Sequence, residues 1–220
     1  VGVVTPLVIG LSINDTMEGI DTGLSGTGYV SLIVTAHFDP REEMERCRLL
    51  LSRRVDGLIV VSSSLDTDSV CSLAQSVPVV TIGRAVAAPK VLSMTIDNES
   101  GGYLATRHLI DIGHRRIVHV TGRKDRASAA DRLGGYRRAL AEAGIPFDPK
   151  LIVDGSYTEL SGVAAVAHLF EVGTDFTAIF AANDQSAAGV ALALHRRGIR
   201  IPDDVSLVGF DDTNAARYAV

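Results

Sequence analysis

Short apolar runs alternate with longer segments of helical periodicity along this chain. Nine of the runs have the length and the β-branched content that are typical of strands. The predicted strands are Val1–Thr5, Tyr29–Ala36, Gly57–Ser62, Val79–Ile82, Ser93–Ile96, Ile117–Thr121, Leu151–Val153, Ala178–Ala182 and Val205–Phe210. Because strands separated by helices need crossover connections, the pattern predicts an α/β fold built on parallel sheets.

The predicted helices have clear start, face and stop signals. Asp39 and Pro40 supply an N-cap and a first-turn proline, a combination typical of a helix start. Glycines that fit the left-handed position after a helix follow four of the helices, at Gly113, Gly144, Gly173 and Gly198. Apolar positions share one face in three helices, through Met44, Cys47, Leu50 and Leu51, through Leu133, Tyr136 and Leu140, and through Val163, Val166 and Phe170.

Nine strands are many for one sheet in a chain of 220 residues. The stretch Arg84–Ser93 is the longest one without a clear period, and a junction near Asp97 would give two lobes of ordinary domain size. We therefore predict two similar lobes, residues 1–97 and residues 98–220, each with a doubly wound parallel sheet.

Composition narrows the function classes. The apolar share is 46% and the formal net charge is −5, and an acidic chain of this kind is a poor ligand for nucleic acid. Cys47 and Cys71 have no spacing that indicates a zinc site or a disulfide framework. Neither a membrane span nor a signal peptide is recognisable, so we expect a cytoplasmic protein.

Motifs of the common enzyme classes are missing from the sequence. The glycine-rich segment Thr22–Gly28 follows a helix and precedes a strand, the reverse of the order in a dinucleotide-binding loop. Phosphate-loop, metalloprotease and serine-hydrolase motifs do not occur. The six histidines are scattered, and His119, inside an apolar strand, is interpreted as structural. We predict no catalytic residue, no metal and no cofactor.

Polar residues at strand exits are the first candidates for a binding site. Asp211 and Asp212 follow an apolar strand, where a carboxylate can accept hydrogen bonds from vicinal hydroxyls or an amine, although capping of the next helix is an alternative. Asp184 is interpreted as the N-cap of a helix Gln185–Arg197, which leaves Asn183 to face a cleft.

A further candidate is the arginine ahead of an apolar helix stripe. Arg132 lies near the start of its helix, after a long polar loop, where a guanidinium fork can clamp a hydroxyl pair or a carboxylate. A surface salt bridge is the alternative role for this side chain.

Several segments together resemble the effector domains of LacI/GalR-type transcriptional regulators. They occur in the family's order and cover nearly the whole chain. The segments are RRVDGLIVVSS at 53–63, PVVTIGR at 78–84, IDNESGGYLATRHLIDIGHRRIVHVTG at 96–122, DRLGGYRRALAEAGI at 131–145, FTAIFAANDQSAAG at 176–189 and IPDDVSLVGFDD at 201–212.

The resemblance implies a periplasmic-binding-protein type I fold with the effector in a cleft between two lobes. It implies that Arg132, Asn183 and Asp211 bind polar groups of the effector and that Tyr157 is an aromatic that stacks on it. Two positions depart from the family: Gly83 precedes Arg84 where an aspartate is frequent, and Leu7–Asn14 lacks the usual Asn-Pro and aromatics. The effector is therefore not predictable from well-known members.

The function implied is the effector-binding core of a transcriptional regulator, a repressor by expectation. We expect it to sense a sugar or related metabolite, to act as a homodimer, and to reach operator DNA through an N-terminal head outside this chain. An exported solute-binding protein of the same fold, serving a transporter, is the alternative. An α/β enzyme with Asp211 as base is a third hypothesis, which lacks an accompanying nucleophile, metal cluster or phosphate loop.

Overall fold

The computed structural model describes residues 1–6 and 11–218 of the chain. Leu7–Gly10, the start of the segment that departs from the family pattern, lie outside the described residues. Within this part of the chain, the nine strands are β1 Gly2–Thr5, β2 Leu32–Thr35, β3 Leu58–Val61, β4 Val79–Ile82, β5 Val91–Met94, β6 Ile117–Val120, β7 Ile152–Val153, β8 Ala178–Ala181 and β9 Ser206–Val208.

Seven α-helices alternate with these strands in the described residues. They are α1 Leu11–Leu24, α2 Pro40–Ser52, α3 Thr67–Ala74, α4 Asn98–Asp111, α5 Ala127–Glu142, α6 Glu159–Glu171 and α7 Asp184–His195. None of the helices in the described ranges is long and apolar enough to cross a membrane.

The chain divides into two compact units, Val1–Ile96 and Asp97–Val220. The sheet of the first unit has the order β2-β1-β3-β4-β5, and all its neighbouring strands are parallel. Its core joins β1, β3 and β4 to apolar side chains of α2 and α3, including Cys47, Leu50 and Val70. The Asp39 carboxylate accepts hydrogen bonds from the amides of Arg41 and Glu42, so the predicted cap of α2 is confirmed.

The second unit carries a parallel sheet in the order β7-β6-β8-β9. Side chains alternate across this sheet because successive residues of a strand point to opposite faces. Val118 and Ile179 pack with α6 and α7, whereas Ile117 and Phe180 pack with α4 and α5. Helices thus cover both faces, and the predicted α/β class with doubly wound parallel sheets is confirmed.

Glycines let the helices on each face approach closely. A Cβ at Gly102 of α4 would overlap the backbone of Arg132, and one at Gly135 of α5 would overlap the carbonyl oxygen of Glu99. On the other face, Gly162 and Gly189 play the same part between α6 and α7. The close approach of α4 and α5 at Gly102 and Gly135 brings the backbone of Arg132 against the first turns of α4.

Several predictions of local structure are wrong in detail. Strand β2 begins at Leu32 instead of Tyr29, and β9 ends at Val208 instead of Phe210. Strand β5 occupies Val91–Met94 instead of Ser93–Ile96, because a loop with few periodic positions gave no marker for the strand start. Phe170 is 45% exposed and Leu169 takes the buried position of α6. The Phe170 ring instead packs edge-on against Phe176 at 6.1 Å, beside the Arg197 guanidinium.

His119 lies in the core of the second unit, as its apolar strand predicts. Its side chain is fully buried, and Nδ1 donates to the carbonyl oxygen of Phe180 at 3.0 Å. Its ring stacks on the rings of Phe180 and Tyr136, with centroids 4.5 and 5.5 Å away. Burial lowers the pKa of His119 to about 4, because the charged form would lose its hydration.

Candidate functional site

The candidate residues come together at the carboxyl edge of the sheet in the second unit. Tyr157 lies after β7, Asn183 directly after β8 and Asp211 after β9, while Arg132 comes from α5, the helix that follows β6. The strand order reverses between β7, β6 and β8. Ligands of open α/β sheets bind at such a reversal, beyond the carboxyl ends of the strands.

Arg132 is the centre of this cluster. Its side chain is only 8% exposed, which excludes the surface salt bridge considered from the sequence. Nε donates to Asn98 Oδ1 at 2.9 Å, Nη1 donates to the carbonyl oxygen of Ala182, and Nη2 lies 3.6 Å from Asp211 Oδ1. The guanidinium therefore has a fixed orientation, with partners from α4 and from the segments that follow β8 and β9.

Aromatic rings complete the surroundings of the guanidinium. The Phe210 ring lies 3.6 Å and the Tyr157 ring 5.7 Å from Arg132 Cζ, both within the range of cation–π attraction. Burial lowers the pKa of Arg132, and the nearby Asp211 carboxylate opposes this effect. An arginine retains its proton under such conditions, so the cluster holds a permanent positive charge.

Tyr157 is held in an unusual backbone conformation. Its φ is +67°, a left-handed value that costs energy for a residue other than glycine. The ring lies over Gly122, where any Cβ would overlap it, and the hydroxyl is 3.0 Å from Ser128 Oγ. Burial raises the pKa of the Tyr157 hydroxyl, so this group is a neutral hydrogen-bonding partner at physiological pH.

Asn183, and not Asp184 as predicted, caps α7. Asn183 is the N-cap of α7, since its Oδ1 accepts from the Ser186 amide at 3.0 Å. Its Nδ2 donates to the Tyr157 carbonyl oxygen at 3.1 Å, and the residue is 6% exposed. Asp184 is instead the first residue of the helix and bonds to Thr213. The sequence could not separate two adjacent residue types that both cap helices well.

Asp211 and Asp212 both have left-handed backbone conformations, with φ of +102° and +53°. The Asp211 side chain is 13% exposed and faces Arg132. The Asp212 side chain is 77% exposed and pairs with Arg217 at 3.0 Å. In the following 3-10 turn, Ala216–Tyr218, the Thr213 hydroxyl accepts from the Ala216 amide at 3.4 Å. Asp211 thus lies beside another candidate residue, Arg132, whereas Asp212 forms an exposed ion pair.

Three residues of the cluster were missed by reasoning from the sequence. Asn98 holds Arg132 Nε, Ser128 holds the Tyr157 hydroxyl, and Phe210 lies against the guanidinium. Phe210 was assigned to a strand, but β9 ends at Val208. An aromatic directly before an acidic pair was the available signal for Phe210, whereas the polar residues at helix starts gave none.

The first unit departs from the family pattern for a local reason. Gly83, in the position where an aspartate was expected, has φ of +86° and donates its amide to the Met94 carbonyl oxygen. This conformation favours glycine. The following Arg84 directs its Nη2 to Thr67 Oγ1 at 3.4 Å.

The cluster combines a fixed cation, a carboxylate and two aromatic rings at the edge of a parallel sheet. The described residues contain no group of three or more metal-ligating side chains. Such an arrangement defines a small-molecule-binding domain of the doubly wound α/β class.

The chain belongs to the family of periplasmic binding proteins and sugar-binding domains of the LacI family, whose model matches residues 13–218. It is 35% identical over 195 residues to the transcriptional regulator AscG of Escherichia coli. The aligned region covers 88% of this chain and 58% of AscG. It is 37% identical over 207 residues to the regulator CelR of Thermobifida fusca. Here the aligned region covers 91% of this chain and 60% of CelR. The chain thus spans about three-fifths of the length of these relatives.

Solved structures agree with this family. The crystal structure of the E. coli repressor AscG superposes with a TM-score of 0.85 at 30% identity, covering 99% of this chain and 80% of that one. A complex of CelR with cellobiose gives a TM-score of 0.84 at 32% identity, covering 99% and 69%. These relatives are transcriptional regulators, a class distinct from enzymes and from solute-binding proteins of transporters.

Proposed function

We propose that this chain is the effector-binding part of a LacI-type transcriptional regulator, and that Arg132, Tyr157, Asn183 and Asp211 form its half of the effector site in the second unit. The observation that carries the proposal is the buried pairing of Arg132 with Asp211 at 3.6 Å. This distance is longer than a charge-assisted hydrogen bond. A hydroxyl of a ligand can therefore accept from the guanidinium while it donates to the carboxylate.

A sugar or a related metabolite fits this chemistry. Vicinal hydroxyls are both donors and acceptors, and a sugar ring has an apolar face that packs well on an aromatic ring such as that of Tyr157. The CelR complex contains cellobiose, and another relative, 33% identical over 207 residues, is named a ribose operon repressor. Since Gly83 supplies no carboxylate in the first unit, we expect the effector to differ from that of relatives with aspartate there.

The effector would act by favouring one arrangement of the two lobes over another. Only such a difference in affinity between states can change how a dimer presents DNA-binding heads to an operator. We propose a homodimer that works as a repressor in the cytoplasm, with operator contacts outside the described residues. No covalent step is needed, so this chain requires neither a catalytic residue nor a cofactor.

A thermal-shift screen tests the proposal. The probes are cellobiose, D-ribose, sorbitol and adenosine, with glutamate and glycine as controls from another chemical class. A probe at about 100 times its Kd should add about 2.7 kcal/mol to the free energy of unfolding, which raises Tm by several degrees. A shift with an amino acid alone, and none with the sugars, polyol or nucleoside, would contradict a sugar-sensing function.

A further inference from the structure

Asp184 forms hydrogen bonds on both sides of the strained turn that carries Asp211. Its backbone amide donates to the Phe210 carbonyl oxygen at 2.9 Å, directly before the turn. Its carboxylate Oδ2 accepts from the Thr213 amide at 2.8 Å and from the Thr213 hydroxyl at 3.0 Å, directly after the turn. One residue therefore binds the backbone on both sides of Asp211 and Asp212.

The turn needs such a restraint because of its backbone conformation. Two successive residues other than glycine have positive φ there, a conformation that persists only where the surroundings enforce it. Thr213, which donates both hydrogen bonds to the Asp184 carboxylate, is 2% exposed. A carboxylate in the first turn of a helix is also favoured by the helix dipole, so Asp184 is a strong acceptor at this position.

The packing around Asp184 leaves its carboxylate committed to this role. Oδ2 has two donors from Thr213, and the other oxygen lies against Gly209, where a Cβ would overlap it. Gly209 is the residue before Phe210, whose ring covers the Arg132 guanidinium. The restraint on the turn thus also fixes the exit of β9 against Arg132.

We infer that Asp184 is a positioning residue of the effector site, which holds the Asp211 carboxylate toward Arg132 without contacting the effector. The adjacent Asn183, which we propose as a site residue itself, also holds the backbone of the other strained residue, since its Nδ2 donates to the Tyr157 carbonyl oxygen. The start of α7 would then set the backbone of two site residues that are 54 positions apart in the chain. This inference rests on the proposed function for its biological meaning, but its geometry can be tested without a ligand.

The ligand-free test is amide hydrogen exchange measured by NMR on the whole chain. In Asp184→Ala, we expect exchange at Thr213 and Ala216 to be about tenfold or more faster, because the Thr213 amide loses its acceptor and the Ala216 amide, which donates to the Thr213 carbonyl oxygen, opens more easily. Asp184→Asn retains an acceptor oxygen and should restore most of the protection. Asp68→Ala, which removes an exposed aspartate from the first turn of α3, is the matched control and should leave the turn unchanged.

The binding test is calorimetry with the probe from the thermal-shift screen that raises the Tm of the unmodified chain. We expect Asp184→Ala to weaken binding about tenfold or more, Asp184→Asn to recover most of it, and Asp68→Ala to have no effect. Unchanged exchange at Thr213, or loosening spread equally over the second unit, would overturn the positioning role. Unchanged affinity of Asp184→Ala would overturn it as well, whereas failure of every probe to bind the unmodified chain would count against the proposed function alone.

Discussion

Arg132 shows what the sequence can and cannot indicate about a single residue. Its position ahead of an apolar helix stripe predicted a polar role, but the alternatives of a site residue and a surface ion pair remained open. Burial excludes the surface ion pair, because oxygens of Asn98 in α4, of Ala182 after β8 and of Asp211 after β9 surround the guanidinium. Those partners are between 34 and 79 residues away in the chain, a distance at which sequence pattern carries no information.

Backbone strain at Tyr157, Asp211 and Asp212 was also not predictable. All three have positive φ. Aspartate adopts this region more often than most residues, but nothing in the sequence selects these two aspartates from the others, and tyrosine adopts it rarely. Strained residues of this kind gather at functional sites, where the surrounding contacts hold them. Their presence on two strand exits of one sheet supports the position of the candidate site.

His119 should make the protein less stable in acid. The ordinary pKa of histidine is 6.5 and burial lowers that of His119 to about 4, so the unfolded chain takes up the proton first as the pH falls. The stability contributed by neutral His119 is complete above pH 6.5 and decreases toward pH 4, by about 3 kcal/mol in total.

Urea denaturation at pH 7 and pH 4 measures this effect. In His119→Phe, the loss of unfolding free energy between the two pH values should be smaller by about 3 kcal/mol than in the unmodified chain. An equal loss in the chain with and without His119 would show that its protonation does not contribute.

At the scale of elements, the sequence predicted nine strands and the helix starts and stops well, because capping residues, glycines and apolar periods act locally. Strand β5 was shifted by two residues, since its flanking loop carries no such signals. The N-cap of α7 was assigned to Asp184 instead of Asn183 for the same kind of reason. Both residues cap helices, and only the tertiary contacts with Tyr157 and Thr213 distinguish them.

Adjacent glycines in α5 provide a matched test of helix packing. Gly135 lies against the α4 backbone, so Gly135→Ala should force the helices apart and lower the free energy of unfolding by about 1–3 kcal/mol. A Cβ at Gly134 would meet its nearest neighbour, Glu99 Cγ, at 3.8 Å. Gly134→Ala should therefore stabilise the chain by up to about 1 kcal/mol through helix propensity alone. Chemical denaturation of both variants measures these changes in the free energy of unfolding. Stabilisation by both substitutions would contradict the close α4–α5 packing.

On the scale of the whole molecule, the two sheets have the same strand arrangement. The orders β2-β1-β3-β4-β5 and β7-β6-β8-β9 both place the second strand of the unit at one edge, beside the first strand. The alternation of strands and helices predicted this class, while the strand order itself depends on packing between distant segments. In the second unit the candidate residues lie where the order reverses, as expected for an α/β binding domain. The family resemblance supplied Tyr157, which no local pattern would have selected.

The central claim is that Asp211, held beside Arg132, binds the effector. The most direct test is isothermal titration of Asp211→Asn and Asp212→Asn with the probe that raises the Tm of the unmodified chain. These neighbours differ in placement, since the Asp211 side chain is 13% exposed and faces Arg132, whereas that of Asp212 is 77% exposed. We predict that Asp211→Asn loses about 1.5–3 kcal/mol of binding free energy, the range for a hydrogen bond to a charged group, and that Asp212→Asn binds as the unmodified chain does. Equal affinity of all three proteins would contradict the assignment of this cluster as the effector site.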